Sequence, residues 1–259
     1  MNWLYKIRYF IYSWFLFSKK RMKAVERSFL NREGITQHTG DSYSTSFAWG
    51  NTTRDNGSVH LPGCVTKSDE GIMLRMYHTE TTGRFRDPLN NWEYTYVSRE
   101  YTSGMVLSEK EQLYGEFACR LICPSFLGAW WAFWSCSQKQ WPPEIDWEFF
   151  WYKNTKGVSP GHYWGENQSK SMRLVGKALS RVKHLKKGGD IILSYEWRPD
   201  FIKWKINGLT VRKVKYEIPR VPMNQIIGLS SHINHDLPKH YSKNQYVGSL
   251  IIKWFRAWE

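Results

Sequence analysis

The chain has 259 residues, enough for one β-sandwich or barrel domain, and a formal charge of +14. This excess of positive charge favours a polyanionic partner, namely nucleic acid, an anionic membrane or an acidic or sulfated glycan. The alternative is that the charge only keeps the protein in solution. The cysteines form no C-x-x-C pair and no His lies at zinc-ligand spacing from them, which argues against a metal site. Buried free thiols are the favoured state, with a disulfide as the alternative. The cysteines are Cys64, Cys119, Cys123 and Cys136.

The first 58 residues are predicted to lie outside the main domain. Residues 3–17 are apolar and aromatic, and a basic cluster follows at residues 19–23. The uninterrupted apolar run at residues 9–17 is too short to span a bilayer, and a signal peptide carries its charges before the apolar run. The segment is therefore predicted to be an interfacial anchor on a membrane surface, a docking segment for a partner protein, or an element packed on the domain. Attachment outside the domain is favoured.

From Val59 to Glu259, short β-rich runs alternate with turns, which is typical of an all-β sandwich domain. Before it, residues 21–30 predict a short helix and residues 31–58 a loop or linker with one strand near 46–49. Asn207-Gly208, between two runs, predicts a type I′ hairpin. Residues 170–187 predict a helix or a long basic loop. The predicted strands are residues 72–78, 94–98, 104–108, 114–123, 129–136, 144–151, 191–197, 201–206, 209–214, 225–232 and 248–258.

Residues 142–151 carry three carboxylates at alternate positions, Glu144, Asp146 and Glu148. A Pro-Pro pair before them and β-branched and aromatic spacers between them favour a strand over a helix. Alternate residues of a strand share one face, so the three carboxylates are predicted to lie side by side. Neighbouring carboxylates repel one another and add nothing to the stability of a structural strand. The alternative for such a spacing taken alone is a solvated acidic face on an edge strand.

A glycosidase needs such a set, because one carboxylate attacks the anomeric carbon while another donates and later accepts a proton. Crowding raises the pKa of at least one member, which keeps an acid protonated near neutral pH. Four residues of strand span roughly 13 Å between Cα atoms. Two Glu side chains that lean toward each other reach about 5–5.5 Å, the separation of a retaining glycosidase.

The neighbours of this stretch resemble glycoside hydrolase family 16. In the family's order, the chain has Thr-Ser-Gly at 102–104, Tyr-Gly-Glu-Phe at 114–117, Trp-Trp-Ala-Phe-Trp at 130–134, Trp-Pro at 141–142, Glu-Ile-Asp-Trp-Glu at 144–148, and a Trp-Arg-Pro-Asp hairpin at 197–208. The resemblance covers roughly residues 59–258. It implies a jelly-roll, concanavalin A-like sandwich of two antiparallel sheets, with an open polysaccharide cleft on the concave face.

Position in the family's motif implies that Glu144 is the nucleophile, that Glu148 is the general acid/base, and that Asp146 hydrogen bonds the nucleophile. The resemblance thus implies a retaining endo-acting glycoside hydrolase, or a transglycosylase, for a β-linked glucan or galactan. Its unbulged acidic motif resembles the mixed-linkage glucanase and xyloglucan branches, whereas the positive charge favours an anionic or sulfated galactan. These two indications conflict.

The resemblance also implies substrate-binding residues around the acidic strand: Arg120, Trp134, Trp141, His162 and Trp164. Arg120 matches the family's Glu-x-Arg motif, although an alanine replaces its Glu. The alternative is core packing for each Trp and a structural role for the His.

A carbohydrate-binding or attachment protein on the same fold, without catalysis, is the second hypothesis, and intact carboxylates argue against it. A nucleic-acid partner ranks last, because no nucleic-acid motif is present and the acidic strand repels phosphate. No cofactor is expected, and a structural calcium is not readable from the sequence. Because polysaccharides lie outside cells, the protein is expected to be extracellular or to be associated with a particle or a surface.

Overall fold

The computed structural model describes residues 19–31, 35–36, 43–87, 90–152, 155–164, 189–233 and 241–258. Its elements are helix α1 (Lys19–Leu30), a 3-10 turn (Pro62–Cys64) and strands β1 (Ile35–Thr36), β2 (Tyr43–Ser44), β3 (Ser58–His60), β4 (Val65–Ser68), β5 (Gly71–His78), β6 (Thr81–Asp87), β7 (Glu93–Arg99), β8 (Tyr101–Ser103), β9 (Met105–Ser108), β10 (Gly115–Ile122), β11 (Ala129–Cys136), β12 (Glu144–Tyr152), β13 (Thr155–Tyr163), β14 (Asp190–Arg198), β15 (Phe201–Ile206), β16 (Leu209–Val214), β17 (Asn224–Ser231) and β18 (Gln245–Trp258).

These strands form two large sheets and one two-stranded ribbon. The larger sheet runs β16-β15-β14-β10-β18-β5-β8-β3, with β1 paired to β18 and β4 to β5. The smaller sheet runs β13-β12-β11-β17-β9-β2, and β6 pairs with β7 as the ribbon. The pairings among these strands are antiparallel apart from β3 with β8. The predicted all-β jelly-roll sandwich is confirmed.

The core lies between the two sheets and fixes which way β12 faces. Ile145, Trp147 and Phe149 are fully buried in it. The Trp147 indole donates a hydrogen bond of 3.1 Å to the backbone oxygen of Ser194 on the opposite sheet. Side chains alternate along a strand, so burying these apolar residues turns the intervening carboxylates to the outer face.

Helix α1 packs on the outer side of the larger sheet, away from β12. Met22 and Phe29 are buried there in a small cluster with Trp254 and Trp258. The Phe29 and Trp258 ring centroids are 5.2 Å apart. In the described part of the chain, no helix is long and apolar enough to cross a membrane.

Many predicted elements agree with the structure. The helix predicted at residues 21–30 is α1, and β11, β15 and β16 have the predicted bounds. Asn207 and Gly208 have φ values of 47° and 75°, the two positive angles of the predicted type I′ turn. The four cysteines are buried and free, as favoured.

The boundary at residue 59 is wrong, because earlier residues belong to the sandwich. β1 pairs with β18, and β2 pairs with β9 where a linker was expected. The strand predicted near residues 46–49 is instead a tight turn closed by hydrogen bonds between Phe47 and Gly50. The apolar segment 3–17 and the basic stretch 170–187 lie outside the described residues.

Truncating Phe29 to Ala should lower the free energy of unfolding by about 3 kcal/mol, because a fully packed ring is replaced by a cavity. Leu30→Ala is the matched control, since Leu30 is 40% exposed and the change should cost under about 0.5 kcal/mol. Urea denaturation of both variants measures the difference. Equal losses would show that α1 does not dock on the sheet as described.

Candidate active site

The three carboxylates of β12 project into a cleft of about 460 Å³ on the outer face of the smaller sheet. Some of the residues beside them on neighbouring strands are small. Ala132 of β11 lies opposite Glu148, and Gly228 of β17 lies opposite Ala132. Gly161 of β13 lies opposite Asp146. These small residues leave open space above the carboxylates, where a ligand can reach them.

Burial and mutual repulsion raise the pKa of each carboxyl. Desolvation and then the negative charge of Glu144 raise the pKa of Glu148 to about 7. Desolvation, followed by the Glu144 charge, holds the pKa of Asp146 well above its ordinary value of 3.8. This shift favours the protonated form of Asp146, which is the form that can donate a hydrogen bond to Glu144.

Glu144 is the member of the set that is stabilised as an anion. Burial raises its pKa, but hydrogen bonds from Asp146 and Trp141 oppose that rise. The Trp141 Nε1–H donates to Glu144 Oε2 at 2.6 Å. Charge-assisted hydrogen bonds of this kind favour the ionised form. The Trp141 hydrogen bond thus favours the ionised form of Glu144, whereas burial raises the pKa of Glu148 to about 7.

Two of the three tryptophans predicted to bind substrate, Trp134 and Trp141, line the cleft. Trp134 lies opposite Asp146 on β11, and its ring meets Phe47 edge-on with centroids 5.8 Å apart. Trp141 packs against Tyr163, with centroids 5.9 Å apart. The sequence prediction therefore places two aromatic rings beside the carboxylates, in agreement with the structure.

Arg120 does not lie at the cleft, contrary to the sequence-based expectation. It lies on β10 in the larger sheet, where its guanidinium binds Glu26 of helix α1 at 2.6 Å and Asp190 of β14 at 2.5 Å. The expectation is wrong because β10 belongs to the larger sheet, whereas the cleft lies on the smaller one. Its ion pairs join α1 to the sheet.

His162 and Trp164 also lie away from the cleft. His162 pairs with Ile145 across the strands, so it shares the inward face and is fully buried. Its ring stacks on Trp164 with centroids 4.7 Å apart. Burial, assisted by the charge of Arg212, lowers the pKa of His162 to about 4, which keeps it neutral. The expected substrate contacts are replaced by packing.

The sequence predicts a linker before β3 and no site residues in it, yet several residues in and next to this segment line the cleft. Trp49, Asp55, Asn56 and His60 all lie at the cleft. The negative charge of Asp55 raises the pKa of both Glu144 and Glu148, so it lies close enough to influence the carboxylates. A loop rich in Asn, Thr and Gly carries no periodic pattern, and nothing in the sequence marks where it folds back.

A buried hydrogen-bond chain fixes this loop beneath the cleft. Asn56 Nδ2 lies 2.9 Å from His60 Nε2, and His60 Nδ1 lies 3.1 Å from Ser103 Oγ. Ser58 then bridges Ser103 and Ser230, at 2.6 and 2.7 Å. Burial lowers the pKa of His60 to about 4, so the ring donates one hydrogen bond and accepts another. This chain ties the loop to β8 and β17.

The described residues contain no group of three or more His, Cys, Asp or Glu side chains arranged to hold a metal ion.

Replacing Trp141 with Phe removes the indole donor and keeps an aromatic ring, so the pKa of Glu144 should rise. Trp134→Phe is the matched control, because Trp134 lines the same cleft and no hydrogen bond from its indole to a carboxylate is described. NMR titration of the carboxyl carbons measures both. An equal rise in the two variants would contradict a specific role for the Trp141 hydrogen bond.

Comparison with solved structures finds the same fold in several glycan-degrading enzymes. Bacillus licheniformis beta-glucanase is 16% identical, with 88% of this chain and 94% of that chain covered at a TM-score of 0.60. The kappa-carrageenase from Pseudoalteromonas carrageenovora is 18% identical, with coverages of 88% and 97% and a TM-score of 0.61. LamA from Zobellia galactanivorans, in complex with laminaritriose and laminaritetraose, is 16% identical, with coverages of 88% and 96% and a TM-score of 0.64.

No curated protein matches this chain in sequence. The sequence profile of the glycosyl hydrolases family 16, in contrast, matches residues 65–236, which include every carboxylate of β12. The chain belongs to glycosyl hydrolases family 16 and is a glycoside hydrolase.

Proposed function

We propose that this glycoside hydrolase is a retaining, endo-acting enzyme that cleaves a β-linked polysaccharide by double displacement. The observation that carries the proposal is the pairing on β12 of Glu144, whose carboxylate accepts a hydrogen bond from Trp141, with Glu148, whose pKa burial raises to about 7. A retaining mechanism needs a nucleophile that is ionised and an acid that is still protonated at the working pH.

In the first step, Glu144 attacks the anomeric carbon and forms a glycosyl ester. The bond from that carbon to the leaving oxygen breaks, and Glu148 gives its proton to this oxygen. In the second step, the Glu148 carboxylate takes a proton from water while the water oxygen attacks the anomeric carbon. The ester bond breaks and Glu144 leaves as the carboxylate, so the net reaction consumes one water.

Asp146 and Trp141 support these steps by holding Glu144. Each donates a hydrogen bond to it, which orients the attacking oxygen and stabilises the charge that returns when the ester breaks. The charge of Glu144 in turn raises the pKa of Glu148. When the ester forms, that charge disappears and the pKa of Glu148 falls, which suits its change from acid to base.

An open cleft with aromatic sides supports a polymeric substrate. Trp49, Trp92, Trp134 and Trp141 all line it. Aromatic rings supply large apolar faces on which sugar rings stack. Relatives of the same fold are named for action on glucan and carrageenan or are complexed with laminari-oligosaccharides. We propose a β-glucan or a galactan as the substrate class.

The double displacement uses only carboxylates and water, so the proposal includes no cofactor. Its polymeric substrate lies outside cells, and we propose that the enzyme acts there, free or attached to a particle or a surface. The apolar residues 3–17 and the basic residues that follow them are proposed to make that attachment, to a membrane surface or a partner protein.

The proposal is tested by the release of reducing ends from mixed-linkage glucan, xyloglucan, laminarin, agar and carrageenan. The wild-type enzyme should shorten one of these polymers, and Glu144→Gln should lose at least about 10³-fold in rate because the nucleophile is gone. Glu70→Gln, an exposed carboxylate in the β4–β5 turn, is the control that should keep full activity. If the wild type binds a polymer but does not cleave it, the enzyme proposal is contradicted and a carbohydrate-binding protein is supported.

The pH dependence of kcat/KM should be bell-shaped, with its alkaline limb near pH 7, where Glu148 loses its proton. The acid limb should lie above pH 4.5, the ordinary Glu value, because burial raises the pKa of Glu144. Glu148→Gln should abolish the alkaline limb and slow polymer cleavage, yet spare formation of the glycosyl ester from an aryl glycoside whose leaving group needs no proton. An unchanged alkaline limb in Glu148→Gln would contradict the assignment of the acid.

A further inference from the structure

The ribbon of β6 and β7 carries arginine and tyrosine on its solvent face. Arg84 lies opposite Tyr96 and Arg86 lies opposite Tyr94 in the register of the two strands. The alternate residues of β6 are buried, so these four side chains share the outer side of the ribbon. We call these four residues the Arg/Tyr face.

The Arg/Tyr face offers binding groups that the protein itself does not occupy. The guanidinium carbons of Arg84 and Arg86 lie 5.0 and 4.9 Å from the Tyr94 ring centroid. Among the residues that the structure describes, neither guanidinium forms an ion pair with a carboxylate. Tyr96 is 64% exposed, so its ring is open to a ligand. The face therefore presents two cations beside an uncovered aromatic ring.

The ribbon is held in place by the loop that precedes it. The Arg86 backbone N–H donates to the Trp49 oxygen at 2.9 Å, and the Asn51 N–H donates to the Arg84 oxygen at 2.9 Å. The Asn51 side-chain oxygen also accepts from the Arg84 N–H at 2.9 Å. Because this backbone is fixed, the side chains of the face are already spaced for a ligand, which lowers the entropy cost of binding.

The Arg/Tyr face is continuous with the catalytic cleft. Phe85 and Asp87, on the opposite side of β6, line that cleft, and so does Trp92 in the turn of the ribbon. Arg86 belongs to both surfaces, because it lines the cleft and contacts Tyr94. A chain that leaves the cleft at this edge therefore meets the Arg/Tyr face next.

We propose that the Arg/Tyr face is an accessory binding site for an anionic polysaccharide strand that continues out of the cleft. Guanidinium groups bind sulfate or carboxylate groups through paired hydrogen bonds to two oxygens, and the Tyr96 ring stacks on a sugar ring. The formal charge of +14 favours an anionic polymer over a neutral one. This inference rests on the proposed function, since it requires a polysaccharide in the cleft.

The test measures dissociation constants of the full chain carrying Glu144→Gln, so that the polymer stays intact. The probes are a sulfated galactan, a polyuronate, neutral mixed-linkage glucan and single-stranded DNA. Tyr96→Ala and Arg84→Gln are added singly to this background. Tyr246→Ala, which removes a Tyr that is 49% exposed on β18, is the control for the ring. Lys215→Gln, which removes one exposed charge elsewhere, is the control for net charge.

Both face variants should weaken binding of the sulfated galactan or the polyuronate by roughly five- to tenfold, and the controls by less than about twofold. Added salt should weaken this binding. The proposal would be overturned if binding weakened equally in Arg84→Gln and Lys215→Gln, or if neither face variant changed binding. It would also be overturned if the face variants weakened binding to neutral glucan or DNA by the same factor. Hydrolysis of a short oligosaccharide by the chain with Glu144 intact tests the proposed function separately, because that substrate stays in the cleft, whose lining does not include Arg84 or Tyr96.

Discussion

The structure depends on one unfavourable arrangement, three carboxyls held side by side on β12 in a partly desolvated cleft. Left in water, such groups would ionise and repel one another. Here burial and the charge of Glu144 favour the protonated form of Asp146, a hydrogen bond from Trp141 favours the ionised form of Glu144, and burial raises the pKa of Glu148 to about 7. Repulsion is thereby converted into the separate protonation states that acid and nucleophilic catalysis require. The remainder of the fold makes this arrangement tolerable.

The core of the sandwich stabilises β12 against the repulsion between its carboxyls. Trp147 and its apolar neighbours are buried in the core, and the Trp204 indole donates a hydrogen bond of 2.9 Å to the Asp146 backbone oxygen. Burial of large rings is favourable enough to hold β12 in register while its other face is repulsive. The loop before β3 then closes the cleft from the side, through the buried chain that starts at Asn56. The buried face of β12 thus stabilises the fold, and its outer face carries the reactive carboxyls.

How far the sequence predicts the site depends on whether a residue lies on a regular strand. Period-two alternation places Glu144, Asp146 and Glu148 on one face, and the resemblance to the family places Trp134 and Trp141 beside them. Alternation shows which residues of a strand share a face, but it does not show which of the two faces lies at the cleft. Arg120 lies on a strand of the larger sheet, and His162 lies on the strand beside β12 with its side chain buried; only the pairing of the strands decides this. Residues 43–57 have no such pattern, so their contribution to the cleft follows from tertiary contacts alone.

The most direct test is an NMR titration of the Glu148 carboxyl carbon in the wild-type chain and in Glu144→Gln. If repulsion and burial set the protonation of this site, Glu148 should titrate near pH 7 in the wild type. Its pKa should fall when the neighbouring charge is removed, yet stay above the ordinary value of 4.5 because burial remains. A wild-type pKa at the ordinary value, or one that does not change in Glu144→Gln, would contradict the account.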